Sequence, residues 1–126
     1  MMNIPQNLLY SKEHEWVRFE GNKAYIGISD YAQHHLGDIV FVDLPELGTE
    51  FDAMTEAAVV ESVKAVSPVF CPVTGKVVEI NAELLDSPEK VNEDPYASFL
   101  FAVETDGTGK DNLLSASDYT PLCEEE

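Results

Sequence analysis

The chain has 126 residues, 44% of them apolar, enough for one globular domain with its own core. Its 24 Asp and Glu against 7 Lys and Arg give a net charge of −17, which opposes binding to nucleic-acid phosphates and to anionic lipid. No apolar run approaches the roughly 20 residues of a membrane-spanning helix. The opening residues, MMNIPQNLLYSKEHEW, show neither a basic region with a long apolar stretch nor Arg-rich character. Cys71 and Cys123 are far apart and form no CxxC, so free thiols in a reducing cytoplasm are expected in place of a disulfide framework or thiolate zinc site.

The first strong signal along the chain is Trp16-Val17-Arg18-Phe19-Glu20, then Gly21-Asn22, then Lys23–Ile28, which together predict a β-hairpin. In the second run Ala24, Ile26 and Ile28 share one face, while Lys23, Tyr25 and Gly27 share the other. Ser29 offers an N-cap, Asp30 suits the positive end of a helix and Gly37 can close it, so a short helix is predicted between Ser29 and Gly37. Ile39-Val40-Phe41-Val42 is a continuous apolar run, the pattern of a strand buried on both faces. Pro45 and Gly48 mark a turn, and residues 55–63, β-branched and alanine-rich, read as another strand.

Beyond Lys64 the strand pattern resumes at Val66, breaks at Pro68 and Pro72, turns at Thr74-Gly75 and continues through Val77-Val78-Glu79-Ile80. Residues 82–91 read as helical turns interrupted at Pro88, 99–103 as a last strand and 111–119 as a short helix. An acidic tail, 124–126, is expected to be solvated and mobile. Short strands between turn residues favour a sandwich or flattened barrel over a βαβ sheet, and no linker divides residues 1–126. The fold class is mainly β.

Catalytic patterns are sparse. His14, His34 and His35 belong to no HExxH motif, and the chain has neither a GxSxG nor a P-loop. Neighbours on a helix point apart, so His34 and His35 read as surface polar residues instead of a metal clasp. Asn92-Glu93-Asp94 lacks EF-hand spacing and meets Pro95 at once, so it reads as a solvated loop. Carboxylates are abundant, but abundance does not place an acid–base pair. An independent enzyme and a resident metal are both disfavoured.

Lys64 stands apart. It sits within Val59-Val60-Glu61-Ser62-Val63-Lys64-Ala65-Val66, between two β-prone runs where a hairpin tip is expected. Taken alone it would read as an exposed solubilising lysine. Glu-Ser-Val-Lys-Ala at 61–65, however, resembles the lipoyl-attachment motif of the glycine cleavage system H-protein family. Tyr10-Ser11-Lys12-Glu13-His14-Glu15-Trp16-Val17 resembles that family's N-terminal block. Gly27-Ile28-Ser29-Asp30-Tyr31-Ala32-Gln33, with Leu36-Gly37-Asp38-Ile39-Val40-Phe41-Val42-Asp43-Leu44-Pro45, resembles its central block. Pro72-Val73-Thr74-Gly75-Lys76-Val77-Val78-Glu79-Ile80-Asn81 and the stretch 86–96 extend the likeness, with a weaker echo at Leu113-Leu114-Ser115-Ala116 and Tyr119.

The resemblance implies a barrel-sandwich hybrid of the lipoyl-domain type with short flanking helices. Its core would span about 20–105, and a short helix and acidic tail would occupy 110–126. It implies lipoate joined by an amide to Lys64. In related lipoyl proteins an acid three residues before the lysine, a glycine eleven after it and a glycine sixteen before it recur, and Glu61, Gly75 and Gly48 match these offsets. An ordinary exposed acid and two turn glycines are the alternative readings. Biotin carriers flank their lysine with methionines, whereas Val63 and Ala65 stand here, so lipoyl is favoured over biotinyl.

A solvated amine is protonated at neutral pH and acylates itself poorly, so a lipoate ligase or octanoyltransferase must make the attachment. The likeness further implies a non-catalytic shuttle. It would accept an aminomethyl group at a pyridoxal-phosphate glycine decarboxylase, deliver methylene to tetrahydrofolate at an aminomethyltransferase, and be reoxidised by a flavin dihydrolipoamide dehydrogenase. Glu15 matches a family glutamate and would hydrogen-bond the charged amine of the loaded arm; a surface strand glutamate is the alternative. A relay of octanoyl or lipoyl groups to other acceptors, and an interaction module with an unmodified lysine, remain as other readings.

Three departures from the family pattern carry expectations. Pro68 stands where an acid is usual, and its missing N–H predicts a reshaped descending arm of the hairpin. Pro95-Tyr96-Ala97-Ser98-Phe99-Leu100 lacks the usual glycines and Trp, so that loop is expected to take another path. Cys71 stands where serine is common.

Overall fold

The protein, analysed as a computed structural model, is described over residues 3–123. The acidic tail at 124–126 lies outside the described residues. Two antiparallel sheets face each other. The larger holds β1 (Leu9–Tyr10), β2 (Glu15–Glu20), β3 (Lys23–Ile28), β5 (Glu50–Phe51), β8 (Gly75–Ile80) and β9 (Phe101–Glu104), in the order β1-β2-β3-β9-β8-β5. The smaller holds β4 (Ile39–Asp43), β6 (Thr55–Ser62) and β7 (Val66–Cys71), in the order β4-β6-β7. Among the described residues four short helices flank them: α1 (Asp30–Leu36), α2 (Glu83–Asp86), α3 (Lys90–Glu93) and α4 (Ala116–Cys123). No helix among the described residues is long and apolar enough to cross a membrane.

Period-two alternation sorts the core. Ala24, Ile26 and Ile28 of β3 point inward to meet Val42, Val60 and Val69 of the smaller sheet. The opposite face of the larger sheet is covered by a second cluster built on Trp16, Tyr10 and Tyr119, in which Tyr10 and Tyr119 stack with ring centroids 4.5 Å apart. Here α4 closes the back of the sandwich. Trp16, fully buried, donates its indole N–H to the Pro95 carbonyl at 3.0 Å, which fixes the 95–98 turn despite its lack of glycine.

The hairpin β2–β3 turns through Gly21 and Asn22 as the sequence predicts, with Glu20 opposite Lys23. Ser29 caps α1 through Ala32 N–H at 3.2 Å, and Gly37 ends it at φ +80°. At that φ a side chain would be strained, so glycine is the natural stop.

Several expectations need correcting. The 39–42 run is not buried on both faces: Ile39 and Val42 are buried, while Val40 and Phe41 are 53% and 49% exposed. A bulge between Ile39 and Phe41 interrupts the alternation, and both Val40 and Phe41 are left exposed. Nor does the strand break at Pro68. β7 runs through it in register, with Glu61 opposite Val66, Val60 opposite Ser67 and Val59 opposite Pro68. Pro68 has the same parity as Phe70, whose N–H points away from β6, so the missing donor faces the open edge and no ladder bond is lost.

Asn92-Glu93-Asp94 is not a solvated loop, because Asn92 lies in α3 with its side chain fully engaged. The last strand begins at Phe101, two residues later than expected. The predicted 111–119 helix resolves into a 3₁₀ turn, Lys110–Asn112, and α4. Cys71 and Cys123 are not bridged.

Candidate functional site

Lys64 sits at the tip joining β6 to β7, with Val63, Lys64 and Ala65 as the unpaired residues. The tip is tied from within by Ser62. Its N–H donates to the Ala65 carbonyl at 2.8 Å, and its hydroxyl oxygen accepts from Ala65 N–H at 3.1 Å and Lys64 N–H at 3.3 Å. One further bond, Val63 N–H to the Asp38 carbonyl at 3.0 Å, ties the tip to the segment between α1 and β4. The Lys64 stem passes Gly37, its Cε 3.8 Å from where a Cβ would stand. Lys64 is exposed, and its neighbours Val63 and Val66 are 71% and 66% exposed. On the outer face of the smaller sheet, exposed Phe41 stands opposite Glu61 and Glu61 opposite exposed Val66, so apolar surface and a carboxylate lie next to the tip.

Glu61 stands beside this tip. It lies between Phe41 and Val66 across the three strands, on the outer face of the sheet. The two glycines do not. β7 carries the chain away from the tip for six residues, so Gly75 lies at the far end of the sandwich. A Cβ there would meet the Glu104 carbonyl at 2.7 Å and Val103 Cβ at 2.9 Å, a reason in packing for glycine. β4 likewise runs away from the tip, and Gly48 beyond it turns at φ +89° while donating to the Val77 carbonyl at 2.8 Å.

Glu15 is no surface glutamate. It shares the inward face of β2 with Val17, is 1% exposed, and lies against the free edge of β7. One carboxylate oxygen accepts from Phe70 N–H at 3.1 Å, and the other is held by the Ser11 hydroxyl. Burial pushes its pKa up to about 7, the Ser11 and Phe70 bonds offset part of that, and the charge of Glu13 adds to the rise.

Sequence reasoning missed the apparatus that aims this carboxylate. Ser11 Oγ also accepts from Glu13 N–H at 3.2 Å and Glu15 N–H at 3.1 Å, closing the loop before β2. His14 has φ +72°, rare for a residue with a side chain, and is held by its Nδ1 to Tyr119 Oη at 2.7 Å. The serine two residues before an acid is a local turn signal. The Tyr119 contact spans 105 positions and leaves no local mark. Cys71 is buried beside Glu15, and burial drives its thiol up to about 12, which makes it inert.

The family model "Glycine cleavage H-protein" matches residues 8–126. The glycine cleavage system H protein of Syntrophomonas wolfei is 56% identical over 126 residues, covering 99% of this chain and 97% of its own. That of Herpetosiphon aurantiacus is 49% identical over 126 residues, covering 100% and 98%. A crystal structure of a glycine cleavage system H protein from Mycobacterium marinum superposes with a TM-score of 0.87 at 37% identity, covering 94% of this chain and 97% of that one. With the sandwich, the exposed lysine tip and these matches together, the chain belongs to the glycine cleavage H-protein family.

Proposed function

We propose that this chain is the lipoyl-carrying shuttle of a glycine cleavage system, with lipoate joined by an amide to Lys64. The observation that carries the reading is the presentation of that lysine, an exposed amine on a tip whose backbone is braced on both sides. The residues present suit the group: the tip is open, and the stem leaves the surface beside Gly37, where no side chain obstructs it. When bound, lipoate supplies a disulfide that accepts two electrons and carries an aminomethyl group between enzymes.

The chain's own part is to hold, present and shield. Val40, Phe41, Val63 and Val66 offer apolar contact around the attachment point, and the acidic surface favours partners with basic patches. Those partners are the pyridoxal-phosphate glycine decarboxylase, the aminomethyltransferase and the flavin dihydrolipoamide dehydrogenase, which do the catalysis. A lipoate ligase or octanoyltransferase attaches the group, and Glu61 is the recognition side chain beside the tip. Gly48 and Gly75, away from the tip, act through the turn and the strand packing where they stand. From Val66 to Phe70 the edge of β7 spans about 13 Å at roughly 3.3 Å per residue, a distance that a lysine carrying an eight-carbon acyl chain can follow to Glu15. There the carboxylate would receive the charged amine. The absence of a disulfide between Cys71 and Cys123 agrees with a cytoplasmic setting.

Intact mass spectrometry tests the reading directly. Co-expression with a lipoate ligase is expected to add one lipoyl group, localised to Lys64, and the product is expected to support glycine cleavage with the other three components. An unmodified chain would point to a plain interaction module; a modified chain inactive in cleavage but donating acyl groups would point to the relay.

The role of Gly75 is separable. Gly75→Ala drives a Cβ into the Glu104 carbonyl and Val103, and such overpacking is expected to remove about 1–3 kcal/mol of stability, read by urea unfolding. Slower lipoylation of the folded variant would add a part in recognition.

A further inference from the structure

We propose that Asn92 is a positioning residue for the attachment lysine. Its side chain makes three hydrogen bonds. Oδ1 accepts from Ile39 N–H at 2.8 Å, and Nδ2 donates to the Gly37 carbonyl at 2.9 Å and to Gln33 Oε1 at 2.9 Å. Two of these partners are backbone groups that can act in one sense only, so the orientation of the amide is fixed without choice. Gln33 is anchored in turn by its Nε2 to Asp30 Oδ1 at 2.7 Å.

Between the two backbone groups that Asn92 holds lies Asp38, and the Asp38 carbonyl takes the Val63 N–H at 3.0 Å. The bond sits one residue from Lys64. Gly37 also forms the floor under the Lys64 stem. One amide on α3 therefore clamps both sides of the peptide that holds the tip, although Asn92 touches neither Val63 nor Lys64 in the bonds described. Without the clamp, the 37–39 segment leaves a helix end at φ +80° and enters a bulged strand, so little else in its own conformation fixes the Asp38 carbonyl. Aspartate cannot replace Asn92. It would keep an acceptor for Ile39 but set a carboxylate against two oxygen acceptors, at Gly37 and Gln33.

The effect on attachment rests on the reading of Lys64 given above; the effect on the tip does not. The experiment is site-resolved amide exchange on the full chain, for wild type, Asn92→Ala, Asn92→Asp and, as a milder control, Gln33→Ala. Steady-state lipoylation by a lipoate ligase with lipoyl-adenylate is measured alongside. In both Asn92 variants the Val63 and Ile39 amides are expected to exchange about tenfold faster relative to the central amides of β3 and β9, as expected for loss of a hydrogen bond of ordinary strength. Gln33→Ala leaves the two backbone bonds and is expected to change these amides much less.

The ligase KM for the Asn92 variants is expected to rise several-fold, with kcat within about twofold, because fewer tips are preorganised for binding. Normalising to β3 and β9 makes the test independent of any overall loss of stability. Val63 exchange that moves only in step with the core, or an unchanged KM, overturns the proposal. Loosened Val63 in a protein whose wild type takes no lipoyl group would instead overturn the reading of Lys64 and leave the clamp standing.

Discussion

Lys64→Arg is expected to abolish carriage of the aminomethyl group while leaving the fold intact. A guanidinium stays protonated and does not form the acyl amide that a ligase makes on an amine, so the arm has no attachment point. The fold has little to lose. Lys64 is exposed, its backbone N–H rather than its side chain bonds Ser62, and its stem only passes Gly37. A surface change of this kind shifts stability by no more than about 0.5 kcal/mol. The expected result is complete loss of the lipoyl mass increment and of glycine-dependent flux in the four-component assay, with an unchanged unfolding midpoint. Flux above background with Lys64→Arg would mean that the group travels on another residue.

This result separates attachment from docking. The variant keeps the acidic surface and the exposed apolar residues Val63 and Val66 that the lipoylated chain also presents. It is therefore expected to compete with lipoylated wild type for the partner enzymes, and inhibition of the reconstituted system by excess variant is the measurement. Such inhibition would assign partner selection to the surface and leave the amine the part of tether.

The sequence exposed the strands and the tip because both are written locally. Alternation in Lys23–Ile28, the Gly21-Asn22 turn and the Ser29 and Gly37 caps each act within a few residues. The lysine itself became legible only through its block of neighbours, since one exposed lysine looks like another. What local pattern misread were places where a polar or irregular backbone is satisfied from a distance. Val40 and Phe41 looked buried because hydrophobicity alone cannot distinguish a covered face from one left open at a bulge. Pro68 looked like a break because the edge to which its nitrogen points is not visible from the chain. Asn92 looked like a loop residue because its three partners lie 53 to 59 positions away. Glu15 was ambiguous for the same reason: its parity put it beside Val17, but only the arrival of β7 turned an inward position into a buried one.

Glu15 gives the second large effect, on stability as a function of pH. Burial raises its folded-state pKa to about 7 from an ordinary value of 4.5. Between those values the folded chain binds more protons than the unfolded chain, so stability falls as pH rises through the window and the loss is complete above about 7. From pH 5 to pH 8 this one group is expected to remove about 2–3 kcal/mol. Glu15→Gln keeps an acceptor for Phe70 N–H but does not titrate, so its stability is expected to lack this slope. Urea unfolding of both proteins across that range is the measurement, and the difference between the curves cancels the contribution of the other carboxylates. Parallel curves would remove the titration from Glu15.

The same group bears on the proposed shielding role. A carboxyl balanced near neutrality is ionised by the arrival of a cationic amine, and the resulting pair in a largely dry site is stronger than it would be in water. Glutamine cannot take that charge. Ammonia is therefore expected to leave the loaded arm of Glu15→Gln faster than that of wild type, with the gap closing at acid pH, where the wild-type carboxyl stays protonated even beside the amine. Equal rates at every pH would leave the carboxyl as a structural cap for the edge of β7 and nothing more.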